Sequence, residues 1–216
     1  SGSNDGEELR EGVPFATALR SRTLWCLALG SASIWFSIQA ITSQFTIYLE
    51  QDAGLQPLQA TRLYSTLLAC SVAGKFLFGA ISDRFTKRSM MLVASSVLLL
   101  GCLQLFSLEN GALGLAHAPA RLMAFAVVFG LGFGGSFTLI QLVAVESFGQ
   151  LALGRILGVI IFIDTMGGAL GTLLAGQIRT TTGDYFQSFS VVTVVAIIAV
   201  INVLMIPTVQ RSGSER

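Results

Sequence analysis

Along this chain, six runs of roughly 20 apolar residues are separated by short polar breaks, and about that many residues in a helix cross a hydrocarbon layer of about 30 Å. The repetition leaves few architectures open. The segments run from about Leu24 to Leu49, Leu63 to Ile81, Met90 to Leu108, Leu122 to Val145, Ile156 to Ile178 and Phe186 to Ile206. With 53% hydrophobic residues, 12% charged residues and a mean hydropathy of +0.73, too little polar surface remains to coat a water-soluble fold of 216 residues. A soluble α/β domain would also need alternating strands, which are missing from the pattern. The expected fold class is therefore an all-α membrane protein, a six-transmembrane-helix bundle. Residues 1–20 read as a polar cytoplasmic segment, 21–207 as the transmembrane domain and 208–216 as a cytoplasmic tail. No secretory signal is visible, since Ser1 to Glu11 is small, polar and acidic.

The net charge of +1 hides an uneven distribution. Arg10, Arg20, Arg22, Arg84, Lys87, Arg88, Arg155, Arg211 and Arg216 fall on one side of the expected bundle, and Arg62, Arg121 and Arg179 on the other. Positive charge is retained in the cytoplasm, so both termini are expected there, in a multi-pass protein of the plasma or inner membrane. Cys26, Cys70 and Cys102 sit singly in different apolar segments, and the one histidine, His117, lies in a loop. Neither a disulfide nor a metal site follows, and no cofactor is expected. No nucleophile or acid has a recognisable relation to His117, so the chain is not read as an enzyme. Gly130, Gly132 and Gly135 satisfy G-x-G-x-x-G, but within a long apolar helix rather than between a strand and a helix start, so they imply no nucleotide. Glycines four apart, Gly130 with Gly134, Gly154 with Gly158 and Gly167 with Gly171, are read as close helix-packing faces. Nothing in the charge pattern points to nucleic acid.

A charge inside the membrane costs several kcal/mol unless paired or hydrated, so each is a functional candidate. Lys75 precedes Asp83 by eight positions and Asp164 follows Arg155 by nine, which puts both roughly 12–13 Å in from the cytoplasmic helix ends. Transporters place their sites at such mid-depth positions. Ser71, Gly79 and Ser82 share a face with Lys75, as Gly167, Gly168 and Gly171 do with Asp164, so both are expected to face inward. Three arrangements are open. The two charges form an ion pair that locks their helices; an anionic substrate competes for Lys75 while Asp164 takes up a proton; or the two never meet. Gln39, Gln44, Gln104 and Gln141 add hydrogen-bonding capacity, with Gln39 and Gln141 taken as substrate contacts.

The loop Gly79-Ala80-Ile81-Ser82-Asp83-Arg84-Phe85-Thr86-Lys87-Arg88 resembles the signature loop of the major facilitator superfamily, which lies between the second and third helices of each half. Thr86 stands where that family usually has glycine. Glu146-Ser147-Phe148-Gly149, Gly154-Arg155, Gly158, Gly171, Ala175-Gly176, Gly183-Asp184-Tyr185 and Ser188-Phe189 look like the branch of monocarboxylate and oxalate:formate carriers. The resemblance implies the C-terminal six-helix half of an alternating-access transporter for small organic anions. Its implied cytoplasmic gate pairs Asp83 with Arg155, and Arg84 or Arg88 with Glu146. Lys75 occupies the position of the carboxylate-binding basic residue. Asp164 departs from antiporter relatives with a second basic residue there, which favours a monoanion moving with a proton. Partners implied are the lipid bilayer, the anion, and an N-terminal six-helix half supplied by another chain, by a further segment or by a second copy. The alternative is a membrane receptor or assembly subunit that retains the fold without transporting.

Overall fold

A computed structural model of the chain describes residues 12–109 and 119–206, the side chain of residue 109 excepted. His117 and the tail beyond Ile206 lie outside the described residues. A short helix, α1 (Phe15–Leu19), is followed by α2 (Arg22–Gln51), α3 (Pro57–Ser82), α4 (Lys87–Glu109), α5 (Pro119–Phe148), α6 (Leu153–Thr182) and α7 (Phe186–Leu204). The six long helices are each long and apolar enough to cross a membrane. Those of 30 residues reach about 45 Å, so they extend past a hydrocarbon core or cross it tilted.

Local chemistry sets the helix ends and corrects the sequence reading. The third helix begins at Pro57, ahead of the apolar run at Leu63, because Gln56 and Gln59 cap each other's backbone and proline occupies the first helical turn. Ser21 starts α2 by accepting a hydrogen bond from the Leu24 amide at 3.2 Å. Gly183 stops α6 in the left-handed conformation at φ +82°. The stretch read as a polar segment holds α1, whose Ala18 is wholly buried. This segment is tied down: the Val13 amide donates to the Phe148 carbonyl at 2.9 Å, and the Trp25 indole donates to the Leu19 carbonyl at 2.9 Å.

The helices pack as two interlocked pairs, α3 on α5 and α2 on α6, with α4 backing α5, α7 backing α2, and α4 touching α7. Exchanging α2 with α5, α3 with α6 and α4 with α7 leaves this neighbour pattern unchanged. It is the signature of two inverted three-helix repeats.

Glycine lets the pairs close. Gly130 lies against the Leu67 carbonyl, Gly134 against that of Ser71, Gly167 against that of Ala32 and Gly171 against that of Phe36, where a methyl group would collide. The third expected pair behaves differently, as Gly154 and Gly158 face open space. They lie on the uncovered side of α6, where nothing in the described chain approaches. Aromatic side chains pack the interior at the end away from the Gly79 to Arg88 loop, with Phe45 on Phe125 and Tyr48 edge-on to Tyr185 and Phe189. Cys26 and Cys102 are buried as free thiols, behaving as small hydrophobes.

Burial is unequal. In their most apolar stretches α2 and α5 bury 61% and 56% of residues, whereas α3 and α6 bury only 28% each. Phe76 on α3 and Phe162 on α6 stand out at 75% and 65% exposure. The helices carrying Lys75 and Asp164 are thus the two with the most uncovered surface.

A central cavity with a buried carboxylate

Side chains one turn apart on three helices enclose a cavity of about 460 Å³. Helix α2 contributes Trp35 and Gln39, α5 contributes Phe137 and Gln141, and α6 contributes Asp164, Gly168 and Thr172. Each set follows the four-residue step that stacks side chains on one helix face. Gly168 is small where it must be, because a side chain there would press on the Gln39 stem. The rings of Trp35 and Phe137 meet edge to face at 5.9 Å, joining α2 to α5 as one wall.

Asp164 is 5% exposed. Its Oδ1 accepts a hydrogen bond from Ser31 Oγ at 2.5 Å, and Ser31 lies one turn before Trp35 on α2. Among the described residues no cation lies within ion-pair distance of it. A carboxylate so placed leaves most of its lone pairs to whatever enters the cavity.

Lys75 does not meet Asp164. It lies on α3, which contributes nothing to the cavity wall, and its ammonium rests 4.4 Å from the centre of the Phe137 ring. Phe137 is at once the seat of Lys75 and a wall of the cavity that holds Asp164. The locking ion pair is therefore absent from this arrangement. Gln39 and Gln141 both line the cavity. Gln44 lies further along α2, where it accepts from the Tyr185 hydroxyl at 3.3 Å, and Gln104 lies in a separate cleft.

At the signature-loop end, the pairs named from the resemblance are not formed. Asp83 pairs with Lys87 at 3.3 Å, since four residues along the same loop bring them together, and Lys87 also donates to the Ser82 carbonyl at 2.6 Å. Arg88 donates to the Leu204 carbonyl at 2.6 Å, tying the start of α4 to the end of α7. Arg84, Glu146 and Arg155 are exposed and have no ion-pair partner among the described residues. At the other end, Arg179 meets Asp52 at 3.1 Å and lies over the Tyr185 ring, joining α6 to α2.

Ser31, Trp35, Phe137 and Thr172 were not anticipated as site residues. A four-residue step from Gln39, Gln141 and Asp164 reaches Trp35, Phe137 and Gly168, and a further step reaches Ser31 and Thr172. The signal was present in the spacing. Among the described residues, no group of three potential ligands could hold a metal ion.

Comparison with known proteins agrees with this architecture. The chain is 27% identical over 175 residues to the uncharacterized MFS-type transporter YcxA of Bacillus subtilis (strain 168), covering 81% of this chain and 42% of that protein. It is 32% identical over 145 residues to monocarboxylate transporter 13 of Rattus norvegicus, covering 65% and 32%, and 29% identical over 174 residues to efflux pump aflT of Aspergillus parasiticus, covering 78% and 32%. It thus spans less than half the length of these relatives. Among solved structures, the POT family transporter PepTSo superposes with a TM-score of 0.72 at 16% identity, covering 85% of this chain and 37% of that one. The D-xylose-proton symporter superposes with a TM-score of 0.68 at 17% identity, covering 92% and 50%. Residues 27–215 match the Major Facilitator Superfamily, and with the six-helix inverted-repeat architecture this establishes that the chain belongs to that family.

Proposed function

We propose that this chain is one half of an alternating-access transporter that moves a small organic anion together with a proton. The observation that carries the reading is Asp164, a buried carboxylate in a central cavity with one hydroxyl donor and no cation within ion-pair distance. An ionised Asp164 repels an anion from that cavity, and a neutral one admits it. Proton and anion then enter together. Lys75 supplies the attraction: as Phe137 turns aside, the ammonium exchanges a ring face for the substrate carboxylate, while Gln39 and Gln141 donate to its remaining oxygens. The names of the monocarboxylate transporters among the relatives support this substrate class.

The second half is the natural cover for α3 and α6, whose apolar faces the described chain leaves open, and it closes the cavity opposite α2 and α5. Another chain, a further segment of this one or a second copy could provide it. In this assembly Asp83, Arg84, Arg88, Glu146 and Arg155 form a cytoplasmic gate. Their exposure suits pairs that form in one state and part in another, each worth about 1 kcal/mol or less. The charge distribution supports an orientation with both termini in the cytoplasm, in a plasma or inner membrane.

One observation favours a second reading, an organic cation as substrate. The charged group in the cavity wall is a carboxylate, flanked by the Trp35 and Phe137 rings. Binding of short organic acids to the two-half protein and to its Lys75→Gln variant separates the two. A charge-assisted hydrogen bond contributes about 1.5–3 kcal/mol, so anion affinity should fall roughly 10- to 100-fold. Unchanged anion affinity removes Lys75 from the site, and binding of organic cations in place of anions establishes the second reading.

A further inference from the structure

Away from the central cavity, a cleft of about 150 Å³ lies between α4 and α5, lined by Gln104, Leu108, Arg121 and Ala124. Two of its polar atoms are orphaned. Arg121 Nη1 and Gln104 Oε1 are both inaccessible to solvent and have no hydrogen-bond partner among the described residues. Buried polar groups are rarely left so, because each forfeits its hydration without return. The Arg121 Nη1, part of a charged group, is the costlier of the two to leave without an acceptor.

The two atoms make complementary demands. Arg121 needs an oxyanion, and its planar fork suits the paired oxygens of a phosphate or carboxylate. Gln104 Oε1 needs a hydrogen-bond donor. A carboxylate satisfies the first and offers nothing to the second. A phosphate group that also carries a donor satisfies both: a phosphodiester headgroup bearing hydroxyls or an ammonium, or free hydrogenphosphate. Depth agrees with a headgroup. Arg121 lies two residues inside the start of α5 and Gln104 five residues before the end of α4, which puts them about 3 Å and 7–8 Å from their helix ends. Leu103, beside Gln104, and Met123, two residues after Arg121, are exposed apolar side chains of the kind that face acyl chains.

We infer that the α4–α5 cleft is a binding site for a phosphate group carrying a hydrogen-bond donor, held by Arg121 and Gln104. Phosphatidylglycerol and phosphatidylethanolamine meet the requirement, and phosphatidylcholine, which has no donor, does not. This site is independent of the transport mechanism proposed above.

Native mass spectrometry of the protein from nanodiscs of equal phosphatidylglycerol, phosphatidylethanolamine and phosphatidylcholine content reads the site directly. Retained phosphatidylglycerol and phosphatidylethanolamine should exceed phosphatidylcholine at least fivefold. Arg121→Gln should abolish that excess, and Gln104→Leu should bring the three lipids to parity while leaving total phospholipid nearly unchanged. Arg121→Lys, which keeps the charge and loses the planar fork, guards against loss of fold and should retain lipid above the Arg121→Gln level and below the wild type. A parallel thermal-shift titration with inorganic phosphate identifies the source. Stabilisation that needs Arg121, without lipid selectivity, supports the site with free phosphate as its ligand. Lipid retention that ignores both substitutions, together with no Arg121-dependent shift in phosphate, means that water alone fills the cleft and overturns the inference.

Discussion

Replacing Asp164 by Asn tests the coupling mechanism most directly, because the amide keeps the shape of the side chain and still accepts the Ser31 hydroxyl. A sphere of the cavity's volume, about 460 Å³, has a radius of about 5 Å, and that sets the separation between Asp164 and an anion at its centre. Two unit charges at about 5 Å repel by roughly 0.8 kcal/mol in water and roughly 3.3 kcal/mol at an effective dielectric constant of about 20. These bounds correspond to about 4-fold and roughly 300-fold in affinity. The cavity is uncovered on one side in this half, so an effect on the order of tenfold is expected. In the wild type, anion affinity should fall as pH rises and Asp164 ionises. In Asp164→Asn it should stay flat, at the level the wild type reaches in acid. Calorimetric titration of a short organic acid at several pH values measures this, and uptake into proteoliposomes should lose its acceleration by an inward proton gradient. Identical pH dependence in the two proteins would refute the electrostatic coupling.

Glycine contacts give a contrasting pair of stability tests. Gly134→Ala drives a methyl group into the Ser71 carbonyl and should cost about 1–3 kcal/mol, whereas Gly158→Ala meets open space and should be neutral or gain up to about 1 kcal/mol; thermal unfolding in detergent distinguishes them. Arg179→Gln removes the partner of Asp52 and the cation over Tyr185, and should lower the unfolding temperature more than Arg179→Lys, which keeps the charge.

Much of the fold was readable because a membrane-spanning helix needs little beyond length and apolarity. Six apolar runs became six helices, and the loop Gly79 to Arg88 fell where the family places it. The starts and stops were less legible. Pro57 belongs to α3 through the mutual capping of Gln56 and Gln59, an interaction that hydropathy cannot register. The Gly154 and Gly158 pair shows the limit of spacing as a guide. It has the same four-residue step as Gly167 and Gly171, but only the latter pair faces α2. Which face of α6 meets a neighbour depends on how the repeats interlock, and that is a property of tertiary packing.

Of the candidate site, the polar residues Gln39, Gln141 and Asp164 could be named from the sequence and do line one cavity, but which charges meet could not. Lys75 and Asp164 were both placed near the middle of the membrane, which left open whether they touch. The repeat symmetry supplies the reason that they do not. Helices α3 and α6 are equivalent under exchange, and each packs on the first helix of the other repeat, α3 on α5 and α6 on α2. Asp164 faces α2 within its pair, through Ser31, and Lys75 faces α5 within its own, over Phe137. The two pairs meet where the edge of Trp35 packs against Phe137. Such an aromatic pair contributes about 0.5–1.5 kcal/mol beyond its burial. Displacing Phe137 also gives up its contact with Lys75, about 0.5–2 kcal/mol, so the two losses together are comparable with a charge-assisted hydrogen bond between an anion and Lys75, at about 1.5–3 kcal/mol. On the proposed mechanism the substrate therefore needs more than the ammonium to displace Phe137, and the hydrogen bonds that Gln39 and Gln141 offer supply the difference.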